Sequence, residues 1–165
     1  MKILKKKWLK IVSIVLAVVL FAGLITSSLS YRKVKSSILG EMGIRHVFEI
    51  NRICLSQYDY AAEEYLNKSD KRKLFVILSH TKKYDKDKHK PYLLEGTFLL
   101  HPSISFRNKA SEQGDGIYWE YKEGILQYTY PGNSGKKSGK YYLDKKYAQE
   151  LRTLFDKYTI VGGID

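Results

Sequence analysis

The sequence predicts an α+β protein with an N-terminal transmembrane helix, then a helix, an antiparallel sheet of four to five strands and a C-terminal helix. Three patterns predict this class. An uncharged apolar run occupies residues 11–26, apolar residues then recur with a helical period, and strand-like segments follow in the second half of the chain. Of the 165 residues, about 135 lie beyond the apolar segment, which is enough for one domain with its own core.

The N-terminal segment resembles a membrane anchor. The run IVSIVLAVVLFAGLIT extends from Ile11 to Thr26 and contains neither charge nor proline. Trp8 and Tyr31 flank it, and about 23 helical residues between them cover about 35 Å, so both rings would lie in the interfacial belts of a bilayer. The predicted anchor residues are Trp8, Lys10, Ile11, Val12, Leu16, Val19, Phe21, Leu24 and Tyr31.

These features divide the chain into four segments. Residues 1–10 form a basic tail expected to stay in the cytoplasm, 11–30 the transmembrane anchor or a signal peptide, 31–43 a stalk, and 44–165 a small extracytoplasmic α+β domain. With an uncleaved anchor the protein is a single-pass protein of the cell membrane. The alternative is cleavage after small residues near 26–28, which would give a secreted product.

Two helices are predicted in the exported domain. Apolar residues between Ile44 and Leu66 follow the i, i+3, i+4 spacing of a helix, and the polar residues 67–70 are expected to end it. Asp144 can cap the final helix. The apolar face of that helix consists of Tyr147, Leu151, Leu154, Phe155 and Tyr158.

Short apolar runs predict the strands. Leu74–Ser79 and Tyr92–Leu100 have the length of buried strands, with the polar residues 82–90 as a loop between them. Residues 131–140 (PGNSGKKSGK) predict a flexible loop, and 159–161 a short terminal strand.

A hairpin is predicted around Glu123-Gly124, which can form a two-residue turn with a positive φ at the glycine. Closing there pairs Tyr121 with Leu126, Trp119 with Tyr128 and Ile117 with Tyr130. These six large residues share the face toward the core. The opposite face carries Tyr118, Glu120, Gln127 and Thr129.

The net charge of +12 favours anionic partners such as lipid headgroups or wall polymers. Two lysine-rich segments of the exported domain form the candidate polyanion-binding site. Its residues are Lys82, Lys83, Lys86, Lys88, Lys90, Lys136, Lys137 and Lys140. Nucleic acid is not an expected partner, because the domain is predicted to lie outside the cytoplasm.

No constellation of catalytic residues is recognised. Asp85, Asp87 and His89 have the spacing that opens a calcium loop, but Lys90 and Gly96 occupy the positions that require glycine and glutamate. Cys54 lies in the predicted apolar helix stripe, as a small hydrophobic side chain rather than a nucleophile. We therefore expect no catalytic residue, no metal and no cofactor.

The sequence thus favours a non-enzymatic, membrane-anchored interaction module of the cell envelope, either an accessory subunit of an envelope complex or an immunity-type protein. Its expected partners are the lipid bilayer and another envelope protein. One alternative is a basic ectodomain that binds anionic lipid or cell-wall polymer. Another is a hydrolase of unrecognised type.

Overall fold

A computed structural model describes residues 2–56, 65–90, 92, 94, 102–108, 111–120, 123–129 and 139–158. The chain divides into two compact units, Met1–Lys33 and Val34–Asp165. The helices are α1 (Lys2–Ser36), α2 (Ile38–Glu41), α3 (Lys68–Ser79) and α4 (Lys145–Tyr158), with a 3-10 turn at Val47–Glu49. The strands are β1 (Ile50–Ser56), β2 (Lys82–Lys83), β3 (Ser103–Asn108), β4 (Ser111–Glu120), β5 (Ile125–Thr129) and β6 (Gly139–Tyr142).

The first unit lies within α1, whose backbone is helical from Lys2 to Ser36. Six of the predicted anchor residues in this helix have described side chains that are largely exposed to solvent. They are Trp8, Ile11, Val12, Leu16, Val19 and Phe21. Tyr31 is 43% exposed, whereas the side chains of Lys10 and Leu24 lie outside the described set. Among the residues that the structure describes, no helix combines the length and apolarity needed to cross a membrane. The transmembrane assignment of 11–30 therefore stays a prediction.

The second unit is built on one antiparallel sheet, which confirms the α+β class. The sheet has six strands in the order β1-β3-β4-β5-β6-β2, so the prediction of four to five strands was wrong. Four strands lie outside every segment predicted as a strand: β1, β2, β3 and β6. β1 falls where a helix was expected, β2 and β6 overlap segments expected to be loops, and β3 begins after the run predicted at residues 92–100.

Helices α2, α3 and α4 cover one face of this sheet and form the core with it. Trp119 of β4 contacts Phe155 of α4, with ring centroids 5.5 Å apart. Ile38 and Leu39 of α2 are fully buried in the same core, although residues 31–43 were predicted as a stalk. The amide of Ile38 donates to Thr81 Oγ1 at 2.9 Å, which ties α2 to the segment after α3.

The helix predicted from Ile44 to Leu66 is wrong, because residues 50–56 form strand β1. β1 pairs with β3 from Ile50 to Ser56 and buries Ile53 and Leu55. Cys54 consequently lies on a strand and is half-buried, not a buried member of a helix stripe. Residues 57–64 lie outside the described residues.

The strand predicted at Leu74–Ser79 is also wrong, because this run is the C-terminal half of α3. Asn67, expected to end a helix, begins this one, since its side chain accepts the Asp70 amide at 2.9 Å as an N-cap. Leu74, Ile77 and Leu78 are buried at a spacing of three and four residues, which fits one helix face.

The hairpin exists, but its register differs from the prediction by two residues. Trp119 pairs with Leu126 and Ile117 with Tyr128, and the pair nearest the turn is Glu120–Ile125. Gly124 has φ +67°, as a turn glycine should. A shift of two residues keeps every side chain on its face, so Ile117, Trp119, Leu126 and Tyr128 are buried as predicted.

The C-terminal helix is confirmed. On α4, Leu151, Leu154, Phe155 and Tyr158 are buried, and Tyr147 packs against the core. The strand predicted at residues 92–100 lies mostly outside the described residues, and the one at 159–161 lies wholly outside them.

Candidate polyanion-binding surface

Residues 82–90, here called the lysine loop, comprise β2 and the compact turn that follows it. The amides of Lys88 and His89 both donate to the Asp85 carbonyl, at 3.2 and 2.9 Å. The Asp85 carboxylate accepts the Asp87 amide at 3.1 Å, a local bond typical of aspartate in turns. The Asp85 amide donates to His89 Nδ1 at 3.0 Å, which leaves the proton of the neutral ring on Nε2.

An aromatic stack holds the lysine loop against the sheet. The His89 ring lies between Tyr84 and Tyr142, with centroid distances of 6.1 and 4.4 Å. Tyr92 meets Tyr142 edge-on at 5.8 Å, and its hydroxyl donates to the Leu143 carbonyl. Burial raises the pKa of the Tyr92 hydroxyl, and the neighbouring Tyr142 and Asp144 raise it further, so it remains a donor.

The structure brings the lysine loop beside β6. Lys83 pairs with Tyr141, and the Tyr84 amide donates to the Lys140 carbonyl at 3.0 Å. Six of the eight predicted lysines therefore belong to one region of the second unit: Lys82, Lys83, Lys86, Lys88, Lys90 and Lys140. Lys136 and Lys137 lie outside the described residues.

Only part of this positive charge is neutralised within the described chain. Lys83, Lys86 and Lys90 are exposed and have no carboxylate within ion-pair distance among the described residues. The other three form exposed, weak ion pairs, namely Lys82–Asp144 at 2.9 Å, Lys88–Asp85 at 3.0 Å and Lys140–Glu120 at 3.5 Å. A folded loop that holds such lysines loses less entropy when it binds an anion than a free tail would.

The other polar candidates have local roles. The Lys88 ammonium and the Asp87 amide lower the pKa of the Asp85 carboxyl, so this residue serves the turn. Among the described residues, no three His, Cys, Asp or Glu side chains are grouped as metal ligands would be. His80 stacks on Tyr147, and burial raises the pKa of the Cys54 thiol, which opposes thiolate formation.

Sequence reasoning missed a second polar cluster, at the ends of α3 and α4. Asp70 Oδ2 accepts from Lys157 Nζ and from the Tyr158 hydroxyl, both at 2.6 Å, and from Asn67 Nδ2 at 2.9 Å. It could not be found from the sequence because Asp70 was assigned to the end of a helix and not to the first turn of one.

In comparisons with known proteins, no protein-family model, curated protein or solved structure matches this chain.

Proposed function

We propose that the protein is a single-pass, membrane-anchored interaction module of the cell envelope without enzymatic activity, acting as an accessory subunit or an immunity-type protein. The observation that carries this proposal is the apolar surface of α1. Its side chains Ile11, Val12, Val19 and Phe21 are 56–67% exposed, and so much exposed apolar surface needs lipid or protein around it.

Charge supports one orientation for such an anchor. The apolar run begins after five lysines, and positive residues flanking a span favour the cytoplasmic side. The α+β unit would then lie outside, close to the bilayer surface. There it could contact another envelope protein.

Membrane fractionation with protease protection tests the anchor and its orientation. We expect the full chain to sediment with membranes, to resist carbonate extraction and to lose its second unit when protease is added outside. The variant Leu16→Lys, Val19→Lys should be released, because each lysine at a helix centre costs about 2.5–3.5 kcal/mol of insertion. A matched Leu16→Ala, Val19→Ala variant controls for loss of side-chain volume. Wild-type protein recovered in the soluble fraction would refute the proposal.

The lysine loop supports a second candidate function, binding of an anionic polymer or anionic lipid. Support comes from the exposed ammonium groups of Lys83, Lys86 and Lys90 on one loop, which form no ion pair with another described residue. Binding by such groups releases counterions, so its affinity should fall steeply with salt.

This function can be measured with the full chain in nanodiscs of zwitterionic phosphatidylcholine. Titration with isolated wall polymer and with anionic vesicles at two ionic strengths should give an affinity that drops at the higher one. Affinity that is absent, or equal at both ionic strengths, would exclude this function.

A further inference from the structure

The sheet has a second face that the described helices do not cover. Ser105, Tyr118 and Glu120 are exposed, whereas their neighbours Ile104 and Trp119 point into the core. Alternation along each strand places these exposed residues together on one surface, here called the open face. Among the described residues, the aromatic stack on Tyr142 covers the end of this surface that lies near β2, where Ile125 is also buried.

A row of hydrogen-bonding side chains crosses the open face at right angles to the strands. Ser56 pairs with Ser103, Ser103 with Tyr118, Tyr118 with Gln127 and Gln127 with Lys140. At the β1 end Ser56 is buried and its hydroxyl is hydrogen-bonded to that of Ser103 at 2.6 Å, so the accessible part of the row runs from Tyr118 to Lys140. Directly paired residues share a face, and strands are about 4.8 Å apart, so the row is about 19 Å long. It runs from the β1 edge toward the lysine loop.

Tyr118 stands at the centre of this row. It is 55% exposed, and its hydroxyl has no hydrogen-bond partner among the described residues. Gly116, two residues earlier on β4, lies on the same face, and a Cβ added there would meet no atom within 4 Å. Its cross-strand neighbour is Ser105, which is also small. The Tyr118 ring therefore borders a shallow trough over Gly116 and Ser105.

Charge at one end of the row indicates what could occupy it. Lys140 ends the row, and the Tyr84 amide donates to its carbonyl, so the lysine loop begins beside it. The Lys140–Glu120 pair at 3.5 Å is exposed and therefore weak enough to be replaced by a ligand anion. An occupant that suits both parts has rings with a C–H face that can stack on Tyr118, hydroxyl groups for Gln127 and negative charges for the lysines.

We propose that the open face binds an anionic glycan, with one sugar ring stacked on Tyr118 and the chain extending across Gln127 and Lys140 toward the lysine loop. This inference rests on the second candidate function and specifies its ligand. A polyanion without rings would contact only the lysines, whereas an anionic glycan would also contact the Tyr118 ring and the trough beside it.

Three soluble probes distinguish these cases, titrated against the full chain in phosphatidylcholine nanodiscs and followed by fluorescence polarisation. Labelled oligogalacturonate carries both rings and charge, polyglutamate of equal charge carries no rings, and single-stranded oligothymidine carries charge and aromatic bases. We expect oligogalacturonate to bind most tightly. Polyglutamate binding should be weaker and insensitive to Tyr118.

Variants at two positions complete the test. Tyr118→Ala should weaken oligogalacturonate binding about tenfold, and Tyr118→Phe should stay within about twofold because it keeps the ring. Phe48→Ala is the matched control, since Phe48 is 69% exposed on the 3-10 turn that contacts α3, on the helix side of the sheet. The Phe48→Ala variant should bind oligogalacturonate with the same affinity as the wild type.

Each other outcome overturns the inference in a different way. Equal binding of polyglutamate and oligogalacturonate, with no effect of Tyr118→Ala, would leave a simple polyanion site. Tightest binding of oligothymidine would indicate a nucleic-acid surface. Failure of all three probes to bind would exclude the polyanion function as well.

Discussion

The hydroxyl of Tyr158 lies 2.6 Å from Asp70 Oδ2, so the last residue of α4 is tied to the first turn of α3. The same hydroxyl accepts the Asn67 amide at 3.2 Å, immediately before α3 begins. One phenol thus connects the N-cap of one helix with the end of another, and both helices pack on the same face of the sheet.

Removing this hydroxyl should destabilise the fold. Tyr158→Phe keeps the buried ring but leaves the Asn67 amide and the Asp70 carboxylate without it, which should lower the free energy of unfolding by about 1–3 kcal/mol. Urea denaturation of the full chain in nanodiscs, followed by tryptophan fluorescence, measures the change. Tyr147→Phe on the same helix is the control, since the Tyr147 hydroxyl makes no hydrogen bond among the described residues. Equal stability of both variants would show that the Tyr158–Asp70 bond contributes nothing.

Acid should weaken this connection. Hydrogen bonds from Lys157 and Tyr158 lower the pKa of the Asp70 carboxyl below its ordinary value of 3.8. Because the folded-state pKa lies below the unfolded one, the stabilisation is complete at pH values well above 3.8 and is lost as the pH falls through the folded-state pKa. The stability difference between wild type and Asp70→Asn, measured from about pH 7 to about pH 2, should therefore shrink at the acid end. A difference that is independent of pH would contradict this assignment.

Two glycines of the hairpin should respond in opposite ways to alanine. Gly124 has φ +67°, and an added Cβ would overlap the Tyr92 hydroxyl, so Gly124→Ala should lower stability by about 2 kcal/mol or more. Gly116 has open space above it, so Gly116→Ala should change stability by less than about 0.5 kcal/mol. Thermal unfolding of the two variants compares them directly, and a Gly124→Ala variant as stable as Gly116→Ala would refute the close packing of Tyr92.

Lysines that form no ion pair within the described part of the chain should dominate polyanion binding. Replacing Lys83, Lys86 and Lys90 by Gln should weaken oligogalacturonate binding about tenfold or more at low salt and flatten its salt dependence. Substituting Gln for Lys68, Arg72 and Lys73 on α3 removes the same charge from exposed positions elsewhere and should have a smaller effect. Equal losses in the two triple variants would mean that only net charge matters.

Glu120 provides a gain-of-binding test at the same surface. Its carboxylate lies 3.5 Å from Lys140 Nζ and competes with a ligand anion for that ammonium. Glu120→Gln should therefore strengthen oligogalacturonate binding severalfold, whereas Glu150→Gln on α4 should have little effect. Unchanged affinity of Glu120→Gln would remove Lys140 from the binding surface.

The sequence predicts most reliably where period and chemistry agree. On α4 the helical spacing of Leu151, Leu154, Phe155 and Tyr158 was sufficient to assign both the helix and its buried face. In the hairpin, alternation assigned the faces correctly but not the register, because registers two residues apart bury the same side chains. The conformation of the turn selects one of these two registers, and the first pair after the turn is Glu120–Ile125.

Short apolar segments gave the errors. The run Leu74–Ser79 fits either a strand or one side of a buried helix, and only the cap formed by Asn67 distinguishes them. Ile50–Ser56 shows the reverse error, since its apolar residues also match a helical spacing. The lysine cluster was foreseen as a set of residues, but the strand pairing that joins Lys83 to β6 and the open face around Tyr118 depend on tertiary structure.

The order of the strands has a consequence for biosynthesis. β1 and β2 come first in the chain, yet each lies at an end of the strand order, and its partner strand, β3 or β6, comes later in the sequence. A nascent polypeptide that ends before Ser103 contains neither of these partners. The sheet can therefore be completed only when synthesis has reached Tyr142, so the six-stranded core forms after most of the chain has left the ribosome.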